Sequence, residues 1–164
     1  MRGRLRWIDA DLRTPGWVRG LPPGRFDAVM SSTALHWLTA AQLRRLYRQL
    51  AGRVRPGGIF LNADGMRFRP ESVRLTRLAR KLRTQRVRES PRRGETWDAW
   101  WLAVGREPAL AAEMAEHGRR FPHGHERTPT LDFEGHRAAL RRAGFREAEG
   151  VFGMWEYRIL AAIR

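Results

Sequence analysis

The sequence contains no cysteine. Disulfides, thiolate metal sites and a cysteine nucleophile are therefore excluded. No apolar run is long enough to cross a bilayer. The basic N-terminal stretch MRGRLRWIDADL has no apolar core, so no secretion signal is read there. These absences fit a cytoplasmic protein. A serine-hydrolase elbow, a phosphate loop, a glycine-rich dinucleotide turn and internal repeats are also missing. Lysine is nearly absent, with Lys81 standing beside 31 arginines. Phosphate recognition would use either cation, so the skew reads first as a coding bias of a high-GC genome.

What is present suits a folded domain. The 164 residues are 42% apolar with seven tryptophans, enough to bury a core in one domain spanning 1–164. The net charge is +15, a field that draws polyanions whatever its origin. From Arg67 to Arg93 there are 11 basic and 2 acidic residues, so this stretch carries +9 of the total.

The stretch Arg25 to Leu38, RFDAVMSSTALHWL, raises the functional question. An apolar run, Phe26 to Met30, stops at Ser31, Ser32 and Thr33, and His36 and Trp37 follow one turn later. Leu5 to Ile8 is expected to be a short strand, residues 13–25 a loop, and Phe26 to Met30 a second strand. Thr39-Ala40-Ala41-Gln42 has capping-box form, and Leu43, Leu46, Tyr47, Leu50 and Val54 recur at helical spacing. Arg55-Pro56-Gly57-Gly58 should end that helix, and Ile59 to Ala63 should return as a parallel strand, covered on both faces and reached by a right-handed crossover. A basic helix is expected from Pro70 to about Arg86, with Leu75, Leu78, Ala79 and Leu82 as its apolar stripe. Thr96 is expected to cap a helix bearing Trp97, Trp100 and Trp101, whose tryptophans serve packing first, with lining an apolar substrate cavity as the second reading. A helix over Pro108 to His117 should stop at Gly118, and Asp132 to Ala143 should stop at Gly144. Strands near Phe145 to Phe152 and Glu156 to Ile163 should pair antiparallel around a turn at Gly153.

Ligands of open α/β sheets bind at the carboxyl ends of strands. Three such ends carry polar groups here: Asp9 and Asp11, Ser31 to Thr33, and Asn62 with Asp64. His36 suits a general base, a donor to substrate, or a structural bond to a backbone carbonyl, and the last is slightly preferred. Trp37 reads as core or pocket wall. His123 and His125, with His117 and His136, lack completing carboxylates, so no metal site is expected.

Taken together, Asp9-Ala10-Asp11-Leu12, FDAVMSSTALHWL, LRRLYRQLAGRVRPGGIFLNAD, AGFREAEGV and YRILAAIR make the sequence resemble a class I S-adenosylmethionine-dependent methyltransferase of small-molecule type. The resemblance implies a partial Rossmann-like α/β sheet, the family's third to seventh strands, with a variable helical insertion over 67–130 and a C-terminal antiparallel pair. It implies S-adenosyl-L-methionine as cofactor. Asp11 would accept from the adenine amino group, Leu12 would pack beside the ring, and Ser31 and Ser32 would border the methionine end. His36 and Trp37 would face a small-molecule methyl acceptor. The family's glycine-rich cofactor loop and its ribose-binding acid have no counterpart here. The chain is therefore expected to be a C-terminal portion, inactive in isolation, whose sheet needs a further N-terminal segment or a partner chain. In the family order 3-2-1-4-5-7-6, the strand at Leu5 would have no neighbour and that at Phe26 would be an apolar edge. A membrane partner is not expected. The alternative is a non-enzymatic basic module that binds nucleic acid through the arginine-rich helix 70–88.

Overall fold

The structure is a computed structural model that describes residues 5–89, 97–121 and 130–164. Two compact units divide it: residues 1–76 with 128–164, and residues 77–127.

In the first unit a four-stranded sheet contains β1 (Phe26–Ser32), β2 (Val54–Gly65), β3 (Glu147–Met154) and β4 (Tyr157–Ile163), in the order β1-β2-β4-β3. β1 and β2 are parallel, with Ser31 beside Asn62 and Ser32 beside Ala63. The other two pairs are antiparallel. This is the 4-5-7-6 half of the order expected from the sequence. The expected third strand is not there: residues 5–8 form no strand, and Leu5 and Trp7 are 91% and 82% exposed. The reason is hydrogen bonding, because the described sheet offers that segment no neighbouring ladder. Residues 13–25 are not wholly loop, since Pro15–Gly20 winds into a 3-10 turn. Its Trp17 Nε1 donates to Gln49 Oε1 at 2.8 Å, which fastens the turn to the following helix.

That helix, α1 (Ala40–Arg53), forms as the sequence predicts. Thr39 caps it with a complete capping box, and Leu43, Leu46, Tyr47 and Leu50 are buried along one face. β2 begins at Val54, directly after α1, and runs through Pro56-Gly57-Gly58. Gly57 has φ +74°, which suits glycine, and a Cβ at Gly58 would lie 2.9 Å from the backbone oxygens of Arg55 and Asp27. So the Pro-Gly-Gly turn belongs to the strand and lets β1 approach it closely.

The expected two-sided burial is corrected. Gly58, Phe60, Asn62 and Asp64 are buried, while Ile59, Leu61 and Ala63 between them are only half-buried. One sheet face packs on α1 and α5 (Phe133–Ala143), and the core of Tyr47, Phe60, Leu140, Leu160 and Ala162 lies there. On the opposite face Met30, Phe152 and Met154 are 77%, 54% and 41% exposed. β1 is an edge strand, as expected.

Asp132 caps α5 by accepting from Gly135 N at 2.7 Å, and Gly144 ends it at φ +104°. Arg164 ties both helices to the sheet. Its Nε donates to Ala51 O at 2.8 Å and its Nη1 to Gly144 O at 2.7 Å, a cation on two helix C-termini. The hairpin turns at Trp155 and Glu156 rather than at Gly153, with Trp155 at φ +59°.

The second unit takes in most of α2 (Val73–Glu89), then α3 (Trp97–Arg106), a 3-10 turn Pro108–Leu110 and α4 (Ala111–Arg120). α2 starts three residues after Pro70. Ala79 is buried, but Leu75 and Leu78 are 48% and 43% exposed, so the expected apolar stripe is only partly covered. Gly118 does not stop α4, which continues to Arg120. Glu116 pairs there with Arg119 and Arg120 and holds the last turn together. Trp100 and Trp101 meet edge to face, centroids 5.1 Å apart, and Trp101 lies 5.0 Å from His117. Thr96, His123, His125 and the side chain of Trp97 lie outside the described residues.

Candidate functional site

β1 and β2 run parallel and end together, which brings Ser31, Ser32 and Thr33 beside Asn62, Ala63 and Asp64. Thr33 turns the chain with φ +49°, its amide held by Ala63 O at 2.9 Å. A short 3-10 turn, Leu35–Trp37, follows, anchored by buried Leu35 and Leu38. These anchors fix His36 over the end of β2.

His36 is held twice by one carboxylate. Its Nδ1 lies 2.7 Å from Asp64 Oδ1, and its backbone N–H donates to Asp64 Oδ2 at 3.1 Å. Gly65 N donates to Asp64 Oδ1 at 2.8 Å. Asp64 is 2% exposed. A buried carboxylate that accepts from Nδ1 sets the tautomer, so Nε2 carries the lone pair. The His36 side chain is one third exposed, so the ring reaches solvent while its anchor does not. Trp37 lies against it, ring centroids 4.5 Å apart. The expectation that His36 meets a backbone carbonyl is thus replaced by a carboxylate partner. Sequence reading noted Asp64 only as a strand-end polar group. The signal that links the two is alternation along β2, which turns Asp64 to the side of Asn62 and Phe60.

Beneath the site lies a second buried pair. Tyr47 Oη is 2.5 Å from His136 Nδ1. Burial pushes the Tyr47 phenol up and lowers His136 to about 4, with Asp64 and Asp132 opposing the second shift. Tyr47 therefore keeps its proton and donates to a neutral His136. Asn62 is fully buried, and neither amide atom has a hydrogen-bond partner. Such an orphaned amide costs about 1–3 kcal/mol, and nothing in the structure explains it.

The expected cofactor residues are less well brought together. Ser31 is half-buried at the strand end and Ser32 is exposed. Leu12 packs on the core. The Asp11 carboxylate is engaged by Arg13, which donates through its backbone N at 2.8 Å and through Nε at 3.0 Å. Among the described residues no group of three or more histidines and carboxylates is placed to hold a metal ion. No described helix is long and apolar enough to cross a membrane.

Residues 2–62 match the family model described as a methyltransferase domain. A search of curated proteins finds no match. Among solved structures, an O-methyltransferase family protein from Burkholderia thailandensis is 19% identical with TM-score 0.55. It covers 99% of this chain, which spans 36% of that protein. The S-adenosylmethionine-dependent methyltransferase SibL in its apo form is 17% identical with TM-score 0.51, over 99% of this chain and 36% of that one. PigF with SAH is 12% identical with TM-score 0.52, over 96% and 35%. The chain thus spans about a third of the length of these structures. Its four-stranded sheet shares the fold of the corresponding part of these methyltransferase structures, and residues 2–62 carry the methyltransferase-domain match.

Proposed function

We propose that this chain forms the acceptor side of an S-adenosylmethionine-dependent methyltransferase acting on a small molecule with a hydroxyl group. The observation that carries the reading is the His36–Asp64 pair at the ends of the two parallel strands. A hydroxyl must lose its proton as it takes a methyl group. An amine that is already neutral gains less from a base. Nε2 of His36 accepts that proton, and Asp64 stabilises the imidazolium that results. Trp37 orients the acceptor against the ring. When bound, the cofactor supplies an electrophilic methyl group on sulfur, and alignment accounts for much of the rate.

The fit to that cofactor is partial. Leu12 and Ser31 suit a purine and an amino-acid tail, but the Asp11 carboxylate must leave Arg13 to meet adenine. The described residues show no cradle for the tail. The 164-residue chain alone is therefore inactive and binds S-adenosylhomocysteine weakly or not at all. A further segment or a partner chain completes the sheet at β1. The arginine-rich helix remains outside this reading, since no observation gives it a ligand.

Calorimetric titration with S-adenosylhomocysteine tests the cofactor claim. We expect a Kd weaker than about 100 μM; a value near 1 μM, roughly 8 kcal/mol of binding, would overturn it. The acceptor claim is tested on the protein purified from its own cells with whatever accompanies it. His36→Ala should lower kcat by about 10²–10⁴-fold with little change in cofactor KM. An unchanged kcat would remove His36 from the chemistry.

A further inference from the structure

Beyond Asp64, the same sheet face leads to a cavity of about 120 Å³ lined by Arg67, Phe68, Arg69, Ser72, Phe133, Glu134 and Arg158. That is room for about four waters, or one oxyanion group on a short stem. Arg158 sits opposite Asp64 in the β2–β4 ladder, and cross-strand neighbours have Cβ atoms about 5 Å apart. Arg158 thus joins the cavity to the strand position of Asp64, although neither Asp64 nor His36 is among the lining residues.

Of its three arginines, Arg69 pairs with Glu71 at 3.8 Å, and the other two are not neutralised. The Arg158 guanidinium stacks between two rings, 4.5 Å from the centroid of Phe133 and 5.1 Å from that of Phe68. Its Nε donates to Trp155 O at 3.3 Å. The two rings restrict the guanidinium, and its terminal nitrogens make no hydrogen bond among the described residues, so they are free to serve as donors. Among the described residues neither Arg67 nor Arg158 has a carboxylate partner. Of the nearby acids, Glu134 pairs with Arg137 at 2.9 Å and Asp64 with His36, while Glu71 pairs with Arg69 at the cavity itself. The backbone holds Arg67 in place, since its carbonyl accepts from Phe133 N and the next strand turn is closed by Met66 N to Glu156 O at 2.7 Å. A flat, pre-oriented guanidinium, a second arginine and the Ser72 hydroxyl around one small cavity suit bidentate recognition of an oxyanion.

We propose that this cavity binds an anionic group, carboxylate or phosphate, carried by the methyl acceptor. The acceptor is then a hydroxylated acid whose charged end is gripped by Arg158 and Arg67 while its hydroxyl lies toward His36. The assignment of the anion to an acceptor rests on the methyl-transfer reading; the binding of the anion does not.

The test titrates the 164-residue chain in 150 mM salt, about physiological ionic strength, with sodium benzoate and with inorganic phosphate. The side-chain N–H resonance of Arg158 is followed. We expect a saturable shift with millimolar Kd for at least one anion. Benzoate alone marks the carboxylate class, phosphate alone the phosphate class, and either supports the site. Arg158→Gln and, separately, Arg67→Gln should weaken binding tenfold or more, while Arg80→Gln on α2 should leave it unchanged. Equal weakening by Arg80→Gln would mean that the general positive field is responsible, and would overturn the proposal. So would the absence of a shift at Arg158 up to about 50 mM, well above a millimolar Kd. If Arg158→Gln does not fold, the direct shift and the Arg67 variant still decide. Anion binding by this chain with no methyl transfer by the protein purified from its own cells with whatever accompanies it would retire only the methyl-transfer reading. Methyl transfer to neutral acceptors alone would overturn the assignment of the anion to the acceptor.

Discussion

Asp64→Ala should lower the unfolding free energy by about 3–4 kcal/mol and the melting temperature by roughly 10 °C. The carboxylate accepts from three donors: the backbone N–H groups of His36 and Gly65 and the His36 ring. Alanine leaves two backbone N–H groups without acceptors at the end of a strand that is otherwise paired on both sides. Each unsatisfied donor costs about 1–3 kcal/mol, and the bond to the ring is lost as well. Asp64→Asn keeps the shape and one acceptor oxygen, so its effect should be smaller. Chemical denaturation measures both. A loss below 1 kcal/mol for Asp64→Ala would show that the 3-10 turn is held by Leu35 and Leu38 alone, and that the carboxylate is not the anchor described here.

Acidification should destabilise the fold through His136. Its folded value, about 4, lies below the ordinary value of 6.5 because burial disfavours the cation. Between these two values the unfolded chain binds a proton that the folded chain does not. Stability from this residue is therefore complete above about pH 6.5 and is lost as pH falls toward 4. The difference of 2.5 units corresponds to about 3 kcal/mol in full, of which about 2 kcal/mol is lost by pH 5. Tyr47, Asp64 and Asp132 are the polar groups that face the ring, and the two carboxylates oppose the shift. Stability against pH, measured by denaturant titration, should slope upward from pH 4 to 6.5. His136→Gln should flatten that slope. An unchanged slope in the variant would place the titration elsewhere.

Much of this architecture is local in origin, and so it is legible in the sequence. The Thr39 capping box, the stripe from Leu43 to Leu50 and the Gly144 stop each act within a few residues. Each is found where its spacing places it. What escapes sequence reading depends on distant partners. Leu5 to Ile8 has strand composition, yet a strand exists only where another offers a ladder. Gly118 reads as a stop because its two following arginines give no hint that Glu116 will tie down another turn. The site divides in the same way. Ser31 and His36 are visible as a polar break after an apolar run. The bond from His36 to Asp64 spans 28 residues and requires the parallel register of β1 and β2. The Tyr47–His136 pair spans 89 residues and joins two helices that the sequence shows only as separate amphipathic segments.

With no cysteine in the chain, methionine is its oxidisable sulfur. The two best-defined cases lie at opposite extremes. Met66 is sealed in the core at 0% exposure, whereas Met30 stands on the edge strand at 77%. Peroxide should therefore convert the Met30 thioether to its sulfoxide long before that of Met66. The lesion would place a polar, chiral group at the edge of the uncovered sheet face. Any segment or partner that seats on that face would shield this sulfur, and oxidation beforehand would weaken its docking. Protection of Met30 from peroxide would thus report occupancy of that face.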